Sequence, residues 1–259
     1  MIEALKRRKL GEVKDKEDLL TSTVFGLMRY DKSNILIKKF LEKSKLFDSP
    51  NYKLKLNDFD EIWYYFWPNF IDKNDDNKIK EPDLILIFKN NSDSDKDFLL
   101  LIEAKNWSGL SEEQLSSYYL SLFDLESYED LEEISNFKGK KAMIYLTRFD
   151  YEYDIKKSKK QLKEEYNPNV PIYGLKWFDL IDICKTNNIQ PLTQDLHNFL
   201  SVFDFEKFVG WQELKTRINL ENLKIIDYIF YSKTYFDYFV NQSIYNLLNK
   251  ETKVVFYGK

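Results

Sequence analysis

Asp83, Glu103 and Lys105 flank two apolar runs, Leu84-Ile85-Leu86-Ile87-Phe88 and Phe98-Leu99-Leu100-Leu101-Ile102. Runs of this length and composition predict strands, and the Asn, Ser and Asp residues between Asn90 and Asp97 predict a hairpin connection. Alternate residues of a strand share a face, so Glu103 and Lys105 point one way and Ala104 the other. If the two runs pair, Asp83 comes alongside them, and two carboxylates gather around one ammonium. Hard divalent cations such as Mg²⁺ take oxygen ligands and keep several waters, so two carboxylates and a substrate phosphate make a suitable site. A cation there polarises the phosphate and acidifies a water, while Lys105 orients that water or neutralises charge developing in the transition state. The plainer alternative is three polar residues at strand ends, solvated or paired with one another. A lone Glu-x-Lys is a weak signal.

Two further segments bear on the choice. Gln114-Leu115-Ser116-Ser117-Tyr118 predicts a helix that carries Gln114 and Tyr118 on one face at i and i+4. Upstream, Glu17 to Tyr30 has Leu20, Val24, Leu27 and Met28 on or near one helical stripe. Acids at its start, Glu17 and Asp18, also favour the positive end of a helix whatever else they do.

Taken in order, Pro82-Asp83, Glu103-Ala104-Lys105 and Gln114-x-x-x-Tyr118 resemble the PD-(D/E)xK nuclease superfamily, the restriction-endonuclease-like fold, in its RecB-type branch. The resemblance covers residues 10 to 185, approximately. It implies an α/β fold, a central mixed β-sheet flanked by helices, in a nuclease domain at 1–190. Residues 191–259 would form a helical C-terminal region that contacts a partner or nucleic acid, or extends the core. It implies Mg²⁺ or Mn²⁺ held by Asp83, Glu103 and the backbone carbonyl of Ala104, with Glu17, or second Asp18, completing the site from the first helix. Lys105 would position the attacking water, and Gln114 and Tyr118 would orient the strand. The implied activity is hydrolysis of DNA phosphodiester bonds. Such domains in bacteria serve restriction, repair or anti-phage defence, and the lack of a helicase or modification motif points to an effector subunit with partner proteins. Homo-oligomerisation, RNA cleavage and a non-catalytic nucleic-acid-binding or scaffold role stay open.

Composition sets limits. With 259 residues the chain can bury a full core. A single cysteine, Cys184, and a single histidine, His197, exclude an internal disulfide and a zinc cluster of these residues. A reducing cytoplasmic setting is expected: Lys6-Arg7-Arg8-Lys9 is not followed by a signal-peptide core, and no run approaches a membrane span. Abundant Lys, Asn, Ile and Tyr suggest an AT-rich, bacterial genome. The net charge of -4 is unlike that of a free-standing DNA binder, whose affinity comes largely from phosphate contacts. Local clusters offset it. Lys156, Lys157, Lys159 and Lys160 form a basic block that could meet nucleic acid, and Lys138, Lys140 and Lys141 form another. Either could equally be a solvated face.

The positioning elements are expected as follows. A second helix spans 33–45. The aromatic run from Glu61 to Phe70 is a strand closed by Pro68, and 72–80 is a loop. Ser111 caps the Gln114 helix. Ala142 to Thr147 is a buried strand, 153–165 a lysine-rich helix, 170–175 a last strand and 177–185 a short helix. Past Pro191, residues 192–205 and 220–249 read as helices dense in aromatics, with a junction at Phe208-Val209-Gly210-Trp211. Such a face is commonly a packing surface; a partner interface or a nucleic-acid clamp is the functional alternative.

Overall fold

The computed structural model describes residues 16–56, 58–72, 78–106, 113–128, 131–148, 150–186 and 192–202. The chain divides into two compact units, Met1–Glu206 and Lys207–Lys259. The junction at 208–211, the expected helix at 220–249 and Ser111 lie outside the described residues.

Helix α1 (Lys16–Met28) follows the expected stripe, burying Leu20, Val24, Phe25 and Met28. Helix α2 (Ile35–Leu41) is shorter than the expected 33–45. At its start Asn34 takes a left-handed φ of 54° and the Asp31 carboxylate accepts from the Leu36 and Ser33 N–H groups at 2.9 and 3.0 Å. Its expected last turn is instead drawn into β1 (Lys45–Leu46), which pairs with β2 (Ser49–Lys53). The aromatic strand β3 (Glu61–Phe66) stops where Trp67 takes a φ of 47° before Pro68. The segment expected to be a loop contains a hairpin of β4 (Phe70–Asp72) and β5 (Lys78–Lys80). Next come β6 (Leu84–Lys89) and β7 (Phe98–Lys105), then α3 (Gln114–Ser121) and α4 (Glu132–Ser135). The chain continues through β8 (Lys140–Thr147), α5 (Glu152–Leu162), β9 (Ile172–Lys176), α6 (Trp177–Thr186) and α7 (Leu192–Val202).

Seven strands form one mixed sheet in the order β2-β1-β9-β8-β7-β6-β3. The β3, β6 and β7 strands run antiparallel in sequence, and β7, β8 and β9 run parallel. Parallel central strands are covered on both faces, which is why Leu99 to Lys105 reads as one buried run. On one face Leu84, Leu86, Leu100, Ile102 and Ala104 pack with α1, α2, α6 and α7. On the other, Ile85, Ile87, Leu99, Leu101 and Tyr145 pack with α3 and α5. Leu196 and Leu200 of α7 belong to the first of these cores, so the helix just after position 191 extends the main domain. No helix among the described residues is long and apolar enough to cross a membrane.

Candidate active site

The register of β6 and β7 assembles the site. Leu84 pairs with Ile102, so the next position on each strand sets Asp83 beside Glu103 at the edge of the sheet. Alternation then puts Asp83, Glu103 and Lys105 on the α3 face, while Ala104 turns into the opposite core. Asp83 is fixed twice: its Oδ2 accepts from Ala104 N–H at 2.7 Å, and its carbonyl accepts from Trp67 N–H at 3.1 Å. Trp67 itself takes a left-handed φ, a conformation bulky residues rarely adopt, and the chain turns out of β3 there.

Glu103 is 1% exposed. Its Oε1 lies 2.8 Å from Lys105 Nζ and accepts from Gln114 Nε2 at 2.9 Å. Its other oxygen, Oε2, is buried with no hydrogen-bond partner among the described residues. Lys105 also donates to Glu17 Oε1 at 2.9 Å, and the other oxygen of Glu17 accepts from Asn106 N–H at 2.8 Å. Glu17 therefore comes from the helix layer on the far face of the sheet, around the end of β7, to hold Lys105. Both its oxygens are engaged there, beside the ammonium.

Gln114 and Tyr118 belong to the same cluster. Gln114 Nε2 lies 3.4 Å from Tyr118 OH, and that hydroxyl donates to the Glu81 carbonyl at 3.1 Å, tethering the segment that leads into Asp83. Gln114 is the first residue of α3, preceded by Glu113 at a φ of 69°. Ser117 of the same helix donates to Asp72 Oδ2 at 2.6 Å, and Lys80 Nζ contacts both, so the β4–β5 hairpin braces α3.

Burial pushes the Asp83 carboxyl up to about 7, against the lowering effects of Lys105 and the Ala104 N–H; the charges of Glu17 and Asp18 add to the rise. Burial, and next the neighbouring Asp83, pushes Glu103 well above the ordinary carboxylate range. Burial works to lower the Lys105 ammonium, but Glu103, Asp83 and Glu17 outweigh it and hold it above the usual lysine range. Two buried acids that resist ionisation beside one lysine are short of positive charge.

That deficit, the orphaned Glu103 oxygen and the all-oxygen donor set fit a divalent cation. Among the described residues no group of three Asp, Glu, His or Cys side chains forms a metal-binding cluster. Two carboxylates with a backbone carbonyl still suit Mg²⁺, which is commonly bound through one or two carboxylates and retains water.

The lysines divide. Lys156, Lys157 and Lys160 are exposed on α5. Lys159 is committed internally, paired with Asp48 and 3.8 Å from the centre of the Tyr166 ring. Lys140 opens β8 opposite Phe98, at the other end of the sheet from Lys105. Lys141 donates to the Leu122 carbonyl at 2.8 Å. The second basic cluster thus stands apart from the site. Cys184 is buried, with its thiol pushed up to about 11 by burial, and His197 lies on α7.

Four participants were not anticipated. Asn106 and Arg148, 3% and 2% exposed, meet where β7 and β8 end, with Arg148 Nη1 3.4 Å from Asn106 Oδ1. Trp177 Nε1 donates to the Lys105 carbonyl at 3.2 Å, and Tyr145, level with Glu103 on β8, donates to Asp154 of α5 at 3.0 Å. The available signal was position: polar residues that close buried parallel strands cluster at one end of a sheet.

No protein-family model matches the chain. No solved structure matches it either. An uncharacterized protein of Pasteurella multocida (strain Pm70) is 27% identical over 188 residues, covering 69% of this chain and 63% of that protein. The chain therefore spans less than two thirds of that relative's length, and the likeness carries no activity with it.

Proposed function

We propose that the chain is a divalent-metal-dependent nuclease of the PD-(D/E)xK type, with a restriction-endonuclease-like core, that hydrolyses DNA phosphodiester bonds. One observation carries the reading: Asp83, Glu103 and Lys105 converge at the end of a paired β6–β7 hairpin, with a buried Glu103 oxygen that no described donor satisfies. Asp83, Glu103 and the Ala104 carbonyl would hold Mg²⁺ or Mn²⁺. When bound, the ion supplies Lewis acidity toward the phosphate and lowers the pKa of water.

The remaining work belongs to the chain. Lys105 stays protonated between Glu103 and Glu17, so it serves as a fixed donor to the attacking water or to a phosphate oxygen gaining charge. Gln114 holds Glu103 in orientation, and the Tyr118 hydroxyl holds the Glu81 carbonyl and with it the approach to Asp83. Burial keeps competing water away from both acids. An effector role in a bacterial anti-phage defence or restriction system, with partner subunits, is the setting we propose for this activity.

The test is incubation of purified protein with supercoiled plasmid and linear single- and double-stranded DNA in Mg²⁺, Mn²⁺ or EDTA. Metal-dependent cleavage that disappears in Asp83→Ala and Lys105→Ala, with folding retained by circular dichroism, supports the proposal. Cleavage at the parent rate in either variant overturns the residue assignment.

A further inference from the structure

The outward face of α5 combines features that its position in the sequence does not explain. Ile155, Ser158 and Leu162 face the core. Tyr153, Lys156, Lys157 and Lys160, at i, i+3, i+4 and i+7, therefore form a single stripe on the opposite side. Tyr153 is 76% exposed, the most exposed large hydrophobic residue among those described. Of the two acids in the first turn, Asp154 accepts the Tyr145 hydroxyl and Glu152 lies to the side of the stripe. The result is a solvent-facing ring followed by cations along one helix.

This helix is coupled to the candidate active site. Tyr145, which anchors α5 through Asp154, sits level with Glu103 on the neighbouring strand and is 1% exposed. α5 also packs beside α3, which carries Gln114 and Tyr118.

We infer that the outer stripe of α5 is a track for single-stranded nucleic acid, with Tyr153 stacking on an unpaired base and Lys156 and Lys160 meeting the phosphates. The nuclease reading supplies the ligand's identity, and the stripe narrows it to single strands. An exposed ring has a base to stack on only where bases are unpaired, and aromatic stacking with interspersed cations is how sequence-tolerant single-strand binding is achieved. In a duplex the bases are already stacked and the ring would meet backbone. Two lysines suit a weak, local track in a chain whose overall charge is negative.

Binding is measured by fluorescence anisotropy with the full chain in EDTA, using a labelled oligothymidylate and a duplex of equal length. The expected result is tighter binding of the oligothymidylate. Tyr153→Ala should weaken it by roughly 5- to 100-fold while Tyr153→Phe retains it. The double variant Lys156→Ala, Lys160→Ala should reduce the slope of log affinity against log salt by about 1.4. Equal affinity for the duplex, or Tyr153→Ala binding like the parent, overturns the track. Plasmid cleavage in Mn²⁺ separates the two proposals. Binding through Tyr153 without any cleavage leaves the track standing and removes the nuclease. Cleavage with Tyr153→Ala binding unchanged does the reverse.

Discussion

Glu17, in the first turn of α1, and Lys105, the last residue of β7, close an ion pair of 2.9 Å that joins the two ends of the candidate catalytic domain's first half. The same carboxylate accepts the next backbone N–H, that of Asn106, at 2.8 Å. One side chain thus fixes both the ammonium and the strand end that bears it. Neutralising Glu17 should leave Lys105 in place through Glu103 but less well aimed. Glu17→Gln is expected to slow cleavage by about 10- to 100-fold, the usual scale for groups that orient a site from outside it. Lys105→Ala should fall to background. Initial rates at saturating Mg²⁺ decide the matter, and a Glu17→Gln rate equal to the parent's would remove the positioning role.

The acids themselves set a pH dependence. Burial holds Asp83 up to about 7. Between the ordinary carboxylate range and that value the folded chain keeps a proton that the unfolded chain has released. Stability of the metal-free protein therefore falls as pH rises through this window. Asp83→Asn removes this contribution, whose upper bound is about 4 kcal/mol. Urea unfolding in EDTA at pH values from about 5 to about 8 should give a flatter profile for the variant than for the parent. Parallel profiles would mean that Asp83 titrates normally.

A bound cation should reverse that penalty. Near neutral pH, Mn²⁺ or Mg²⁺ at about 100 times its dissociation constant is expected to stabilise the parent by about 2.7 kcal/mol. Asp83→Asn and Glu103→Gln should lose the effect. Gln114→Ala is the informative case, since Gln114 Nε2 holds Glu103 Oε1 at 2.9 Å. Its metal affinity should drop by about 10- to 100-fold. Calorimetric titration with Mn²⁺ reads this directly, and unchanged affinity would reduce Gln114 to a helix residue.

The acids and the lysine were legible because strand alternation is a local signal, written in two uninterrupted apolar runs. Gln114 and Tyr118 were legible for the same reason, one helical turn apart. What stayed hidden depends on partners distant in sequence. Lys45–Leu46 is too short to carry a period and becomes a strand only by pairing with Tyr173 and Gly174. The β4–β5 hairpin lay inside a polar stretch that reads as loop, and its brace to α3 joins Asp72 to Ser117. Lys159 looked like one more member of a basic block until Asp48 and Tyr166 met it. Asn106 and Arg148 stood in no motif, since their proximity comes from two parallel strands ending at one level.

Trp177 ties the core to the chemistry. It is fully buried, stacked on Phe40 with ring centres 6.3 Å apart, and its indole N–H donates to the Lys105 carbonyl at 3.2 Å. The side chain of Lys105 lies on one face of the sheet while its carbonyl is held by the helix layer of the other. Trp177→Phe keeps an aromatic ring but deprives that carbonyl of its donor. The expected loss of stability is about 1–3 kcal/mol, the cost of leaving a buried polar group unsatisfied. Trp177→Leu should cost more, about 3–5 kcal/mol, because a cavity is added. If the bond also positions the ammonium, cleavage by Trp177→Phe should fall further than its folded fraction accounts for. Urea midpoints paired with rates per folded molecule separate the two effects. A Trp177→Phe protein of reduced stability and undiminished specific rate would confine Trp177 to packing.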